Sequence, residues 1–152
     1  MPRGIARADE ASMMNWATAC DESGAAAHTP VVSGCSWKLP SQEEWALVGN
    51  AISGSSLNSA ITNAGGTAIP TIHFDDETDA MTGKYWLSTV GNYDDMARTW
   101  GINGSDVIAV GSQGLKTDNN LVRACLAHRI PRGRHSLRDF CVNLQHEDKK
   151  TT

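Results

Sequence analysis

Long apolar runs are missing from this sequence of 152 residues. No stretch of 18 apolar residues occurs, which excludes a transmembrane helix in the sequence given. Residues 1–16 hold two Arg without an apolar stretch after them, a pattern unlike that of a secretory signal. Phe and Tyr are scarce, with two of each, so the aromatic content lies mostly in five Trp. We therefore expect many turns and short strands around a few large side chains.

Catalytic and cofactor motifs are also missing. No Ser lies in a GxSxG turn, and the segment "GSQGLK" at 111–116 lacks the pattern of a phosphate-binding loop. The five His are scattered through the sequence, which is more typical of solvent-exposed His than of a catalytic triad. The sequence therefore predicts a protein that is not an enzyme and that needs no cofactor.

Cysteine spacing argues against a structural zinc site. The four Cys show no CxxC pattern and no His at zinc-finger spacing. Their even number and wide separation permit one or two disulfides, which favours an extracellular or cell-surface location. Spacing alone leaves the pairing open among Cys20, Cys35, Cys125 and Cys141.

Charge divides the chain into two parts. Residues 1–128 carry seven Lys and Arg against fourteen Asp and Glu, whereas residues 129–152 carry six against three. The acidic first part argues against nucleic-acid binding. We interpret 1–128 as one domain and 129–152 as a basic, solvated C-terminal extension, with contact to an anionic surface as the alternative.

Apolar periodicity predicts two helices in the first third of the chain. The first covers 9–22, and the second begins at Ser41, where Glu44 completes a capping box and Leu39 is placed to pack on Trp45. The apolar face of the first helix would consist of Met13, Trp16, Ala17 and Cys20.

The sequence of the rest of the domain predicts a long irregular segment followed by strands. Residues 53–84 are small, polar and Gly-rich, with one short helix expected near 57–63. Four strands are expected as an antiparallel meander at 85–90, 96–102, 106–112 and 121–127, which gives an α+β fold. The carboxylates at Asp75, Asp76, Glu77 and Asp79 lack EF-hand spacing, so we expect a solvated acidic loop, and calcium stays an alternative.

Several motifs together resemble a known family. The segment "CSWKLPSQEEW" at 35–45 resembles the W-R-L-P-T-x-x-E-W signature of bacterial C-type-lectin-like domains, the Fibrobacter-type major paralogous and Lcl C-terminal domain families. The segments "MNWATAC", "YWLST", "MARTWGI" and "LVRACLA" are similar to further motifs of these families and follow in the same order. The resemblance covers about residues 12–128.

The resemblance implies a C-type-lectin-like fold, with two helices flanking a small twisted antiparallel sheet and the two ends of the domain close together. It also implies a disulfide between Cys20 and Cys125, and no calcium. Leu87 and His128 depart from the family pattern, and the strand expected before the first helix is either missing or supplied by the short N-terminus. The residues expected to hold the scaffold are Trp37, Trp45, Trp86, Trp100 and Arg123.

A ligand face is predicted between residues 91 and 120. Tyr supplies rigid contact area there, and Asn, Asp and Ser supply adaptable hydrogen bonds. In similar proteins diversified by retroelements this segment is the variable, ligand-contacting face, so we expect a bound protein or carbohydrate on a bacterial or phage surface. The plain alternative is a hydrophilic outer edge of a sheet. The predicted ligand-binding residues are Tyr93, Asp94, Asp95, Arg98, Asn103, Asp106, Lys116, Asp118, Asn119 and Asn120.

Two other functions stay open at this level. The formylglycine-generating enzyme belongs to the same fold superfamily, and its chemistry requires a free Cys pair that holds copper. A structural subunit of a fimbrial or phage tail assembly would instead use the exposed face to bind neighbouring subunits.

Overall fold

A computed structural model of the chain describes residues 2–21 and 23–128. The predicted C-terminal extension, residues 129–152, lies outside the described residues. The described part is α+β, with three α-helices and three small antiparallel sheets. The helices are α1 (Trp16–Cys20), α2 (Gln42–Ala51) and α3 (Gly54–Asn63), with a 3-10 helix at Ala25–Ala27. The strands are β1 (Pro2–Ile5), β2 (Cys35–Lys38), β3 (His73–Asp75), β4 (Ala80–Thr82), β5 (Tyr85–Val90), β6 (Met96–Ile102), β7 (Ile108–Leu115) and β8 (Cys125–His128).

The first sheet joins the two ends of the described domain. Its strand order is β1-β8-β2, and Leu126 lies opposite Gly4 on one side and Trp37 on the other. Both pairings are antiparallel. The N-terminus therefore supplies the strand that precedes the first helix.

The second sheet is a meander in the order β5-β6-β7. Strands β5 and β6 have the predicted bounds, but β7 starts later than expected because Asp106 has a φ of 64° and belongs to the preceding turn. The predicted fourth strand, 121–127, forms only in part, as β8, and its predicted place in the meander is wrong. Only Leu121 bridges to β5, at Tyr85, and the chain then continues into β8 of the first sheet.

The first helix is much shorter than predicted. Before α1, the Glu10 N–H donates to the Val122 carbonyl at 2.9 Å, and the Met14 N–H donates to the Asn120 carbonyl at 3.0 Å. These backbone groups form hydrogen bonds to a distant segment, so they are not available for the hydrogen bonds of a helix. Helix α1 begins only where the Asn15 side chain caps it, and Met13, expected on the buried face, is 57% exposed.

The start of α2 confirms the predicted capping box. The Glu44 N–H donates to Ser41 Oγ at 3.2 Å, and the Ser41 N–H donates to Glu44 Oε1 at 2.9 Å. Trp45 and Leu39 are both buried, but they belong to different apolar clusters. The core clusters therefore do not include the predicted packing of Leu39 on Trp45. The segment predicted as mainly irregular contains α3, capped by Ser53, and the β3–β4 hairpin.

The core has two clusters on the two faces of the meander. Trp100 packs with Tyr85 and Trp45 at ring-centroid distances of 4.7 and 4.6 Å, on the face that α2 and α3 cover. Trp86, next to Tyr85 on β5, points to the other face, where Leu39 packs. Of the predicted scaffold residues, four are buried and Trp37 is half-buried; the buried ones are Trp45, Trp86, Trp100 and Arg123.

The predicted disulfide between Cys20 and Cys125 is wrong. Both are free thiols, as is Cys35, and Cys141 lies outside the described residues. Cys20 is exposed at the end of α1, whereas Cys125 is buried on the central strand of the first sheet. The Cys125 Sγ lies 3.5 Å from the Lys38 carbonyl oxygen on β2.

Candidate functional site

The predicted ligand residues separate to opposite ends of the meander. Segments 91–95 and 116–119 lie together at one end, where the Lys116 N–H donates to the Asp95 carbonyl at 2.8 Å. The turn 103–107 lies at the other end of β6, and seven strand residues place the two ends about 20 Å apart. We call the first group, residues 91–95 and 115–119 with Arg98 and Gln113, the loop surface.

The 91–95 loop is held by hydrogen bonds with side chains of β6 and β7. The Asn92 N–H donates to Gln113 Oε1 at 2.5 Å, and Arg98 Nη2 donates to Asn92 Oδ1 at 2.7 Å. Two backbone bonds close the loop, from Met96 to the Tyr93 carbonyl and from Gly91 to the Met96 carbonyl. The braced loop presents Tyr93 to solvent, with 68% of its surface exposed.

Arg98 helps to shape the loop surface. Its Nη1 donates to the Gly111 carbonyl at 2.7 Å while Nη2 holds Asn92. The β6–β7 register shifts beside Gly111, whose φ of 107° belongs to the region that glycine adopts readily. Arg98 thus connects the bulge to the loop, which makes it a positioning residue as well as a predicted ligand residue.

Lys116 is also held internally. Its Nζ lies 4.8 Å from the centroid of the Trp16 ring, and its carbonyl accepts from the Trp16 N–H at 3.1 Å. By contrast, the side chains of Asp94, Asp95 and Asp118 are exposed and make no hydrogen bond or ion pair with the described residues. The charges available to a partner on this surface are therefore mainly negative.

Three predicted residues do not join the loop surface. Asn103 Oδ1 accepts from the Ser105 and Val107 N–H groups at 2.9 and 3.1 Å, which closes the turn at the other end of the sheet. Asp106 Oδ1 accepts from the Ser55 N–H at 2.7 Å, so it binds the first turn of α3 in addition to the Ser53 cap. Asn120 is only 7% exposed and bridges to Met14. All three stabilise local structure.

The crevice beside α3 is too small for a ligand larger than water. This crevice, of about 10 Å³, lies between residues 5–7 and α3, with room for about one water molecule. Among residues 2–21 and 23–128, no group of three or more His, Cys, Asp and Glu side chains has the arrangement of a metal site. Asp75, Asp76, Glu77 and Asp79 lie in the β3–β4 hairpin, where Asp75 Oδ1 accepts from the Glu77 N–H at 2.9 Å. No helix within this part combines the length and the apolar character that crossing a bilayer requires.

Sequence reasoning missed two residues that shape the loop surface. Asn92 and Gln113 brace the loop, but Gln113 comes opposite Arg98 only because of the β6–β7 register. The polar, turn-forming "GNYDD" segment was a usable signal for Asn92. No local signal identified Gln113.

The chain has no match among protein-family models, curated proteins or solved structures. Its function therefore has to be inferred from the geometry and chemistry of its own residues.

Proposed function

We propose that this chain is a non-catalytic recognition module of C-type-lectin-like fold that binds a protein or carbohydrate ligand through the loop surface. The observation that carries the proposal is Tyr93, a 68% exposed aromatic side chain at the tip of a braced loop. Two exposed carboxylates, Asp94 and Asp95, follow it in the same loop, and Asn119 is exposed on the neighbouring segment.

Bracing favours binding for an energetic reason. A loop that must become ordered on binding loses affinity to conformational entropy, whereas a pre-ordered loop does not. Asn92, next to Tyr93, donates its backbone N–H to Gln113 and accepts from Arg98 at its side chain, so it is held before any ligand arrives. Tyr has few rotatable bonds and a large amphipathic ring, which is why recognition loops use it often.

The topology supports the lectin-like assignment. Strands β1 and β8 pair, so the two ends of the domain meet, as the family resemblance implies. The segment "YWLST" forms the start of β5, and "MARTWGI" forms all of β6, so both motifs lie in the meander that carries the loop surface. Trp45 and Trp86, from two motifs of the resemblance, pack on opposite faces of this sheet.

The formylglycine-generating type of enzyme has less support. That chemistry requires two neighbouring thiols that share a copper ion. Here Cys20 is exposed on α1, and Cys125 is buried on β8 against the Lys38 carbonyl. The settings of these two thiols favour a binding module over this enzyme.

Binding selection with the full chain tests the proposal. The immobilised protein is probed with an array of defined glycans and with a displayed peptide library, and the selected ligands are titrated against variants. We expect Tyr93→Ala to weaken binding at least tenfold, a hot-spot effect of about 1.4 kcal/mol or more, and Asp95→Ala to weaken it less.

Two matched variants make the test decisive. Tyr93→Phe keeps the ring and is expected to retain most of the affinity. Asn50→Ala, at an exposed position on α2, is the control for Asn119→Ala. Unchanged affinity in Tyr93→Ala and Asn119→Ala, with ligands selected reproducibly, would refute the loop surface as the binding site.

A further inference from the structure

The β3–β4 hairpin is a separate ribbon on the surface of the domain. Its two strands pair only with each other among the described strands. It is joined to the meander at its base, where the Ile72 N–H donates to the Ile102 carbonyl at 2.7 Å and Thr71 bridges to Ile102. Residues 73–82 are exposed throughout, except for the half-buried Asp75. A two-stranded ribbon with both edges uncovered has unused backbone groups and little packing of its own.

One face of this ribbon carries two large apolar side chains. Phe74 and Met81 lie directly opposite each other in the antiparallel register, so their side chains share a face. They are 48% and 47% exposed. An aromatic ring beside a flexible thioether forms an adaptable apolar contact surface.

The tip of the same ribbon is strongly acidic. Four carboxylates lie within five residues, and no Lys or Arg occurs between positions 71 and 83. None of the four pairs with a cation among the described residues. A second copy of this chain would bring eight carboxylates together, so like-charge repulsion opposes self-association through the ribbon. The four carboxylates belong to Asp75, Asp76, Glu77 and Asp79.

We propose that the β3–β4 hairpin is a docking site for a cationic segment of a partner protein. An apolar side chain of the partner lies on Phe74 and Met81, and Lys or Arg residues beside it meet the carboxylates of the tip. The negative charge of the tip favours a basic partner. The apolar pair favours a protein segment over a simple polycation, because a polycation has no apolar side chain to pack there. Because the hairpin adjoins Ile102, at the far end of β6 from the loop surface, both surfaces can be occupied together.

Defined peptides test the hairpin in the full chain. The probe is the amidated peptide KKFVKK, and the comparison peptides are KKSTKK, with the same charge and no apolar side chain, and EEFVEE, with the charge reversed. Hydrogen exchange locates binding, and titration measures it. We expect KKFVKK to slow exchange at 73–82, and we expect at least tenfold weaker binding of both comparison peptides.

Variants separate the apolar contribution from the electrostatic one. Phe74→Ser with Met81→Thr, and Asp76→Asn with Glu77→Gln, are each expected to weaken KKFVKK binding at least tenfold. The double variant Asp21→Asn with Glu43→Gln, at exposed positions that belong to neither surface, removes the same charge elsewhere and is expected to bind normally. Unchanged thermal unfolding checks that each variant is folded.

Three results would overturn the docking site. Equal binding of KKSTKK would show a simple polycation effect, and protection at 91–95 instead of 73–82 would place binding on the loop surface. A dimer in sedimentation that Phe74→Ser dissociates would show that a second copy covers the ribbon. The first and third results do not depend on whether the loop surface binds its own ligand, and the second is recognised by the position of the protected residues.

Discussion

Arg123 Nε donates to Asp9 Oδ1 at 2.7 Å, an ion pair between residues 114 positions apart in the sequence. The Arg123 side chain is fully buried, and its Nη1 also donates to the Ala6 carbonyl at 3.2 Å. The second oxygen of Asp9 accepts from the Tyr85 hydroxyl at 2.9 Å. One carboxylate thus connects the N-terminal segment, β5 and the segment before β8.

Replacing Asp9 by Asn tests this connection. Removal of the carboxylate leaves the buried Arg123 guanidinium without its counter-ion, a change that typically costs 3–5 kcal/mol. Because the Asp9 side chain is 24% exposed, we expect a loss near the lower end, about 3 kcal/mol of unfolding free energy in urea. Asp118→Asn, at an exposed position, is the control and is expected to change stability by less than about 0.5 kcal/mol. Similar losses in both variants would contradict the role of Asp9.

Stability is expected to fall in alkaline solution. Burial raises the pKa of the Tyr85 hydroxyl, with a further contribution from the Asp9 carboxylate, and burial also raises the pKa of the Cys125 thiol. The folded state therefore keeps protons that the unfolded state releases, from about pH 8.5 for Cys and about pH 10 for Tyr. The stabilisation is complete below these values and is lost as pH rises, by up to about 1.4 kcal/mol per pH unit for each group.

Chemical unfolding between pH 7 and pH 11 measures this slope. Cys125→Ala is expected to flatten the decrease that begins near pH 8.5, and Tyr85→Phe to flatten the decrease above about pH 10. A free energy of unfolding that stays constant up to pH 11 in the unmodified chain would contradict the buried placement of both groups.

Two adjacent glutamates in the first turn of α2 are expected to differ in their effect on stability. Glu44 accepts from the Ser41 N–H and pairs with Lys38 Nζ at 3.0 Å, whereas Glu43 is exposed. Loss of a cap costs about 1 kcal/mol, and loss of a charged hydrogen bond adds to it, so we expect Glu44→Ala to cost about 2–3 kcal/mol. Glu43→Ala is the matched control, with less than about 0.5 kcal/mol expected in thermal or urea unfolding. Equal effects would exclude the capping box as a stabilising feature.

Thiol labelling separates the free cysteines from a disulfide. In the native full chain we expect Cys20 to react with a thiol reagent, and Cys35 and Cys125 to react only after unfolding. Partial desolvation of the sulfur and the Asp21 carboxylate raise the pKa of the otherwise exposed Cys20 thiol, so its reaction should speed up as pH rises above 8. Peptide mapping assigns the label to each residue. If neither Cys20 nor Cys125 reacts in the denatured, unreduced chain, the predicted disulfide between them is supported and the free thiols are contradicted.

Features coded by adjacent residues were predicted well. The capping box needed only Ser41 and Glu44, three positions apart, and it formed as expected. The bounds of β5 and β6 followed from β-favouring residues between turn signals. The prediction of the first helix over 9–22 was wrong in spite of the helical periodicity. The backbone groups before α1 pair with residues 120–122, more than a hundred positions away.

The candidate site was only partly predictable. Exposure of Tyr93, Asp94 and Asp95 in a polar loop followed from composition, and the structure places them on one surface. That surface excludes Asn103 and Asp106, because a meander sends alternate turns to opposite ends of the sheet.

The sequence by itself determined the α+β class, the start of α2 and the large Trp side chains around which the core packs. Only the tertiary structure decided that β8 leaves the meander for the sheet with β1 and β2, and that Gln113 meets Arg98 beneath the loop. The difference has a physical cause. Caps, turns and strand propensity act between near neighbours, whereas strand partners, register and burial depend on contacts between distant segments that no local pattern records.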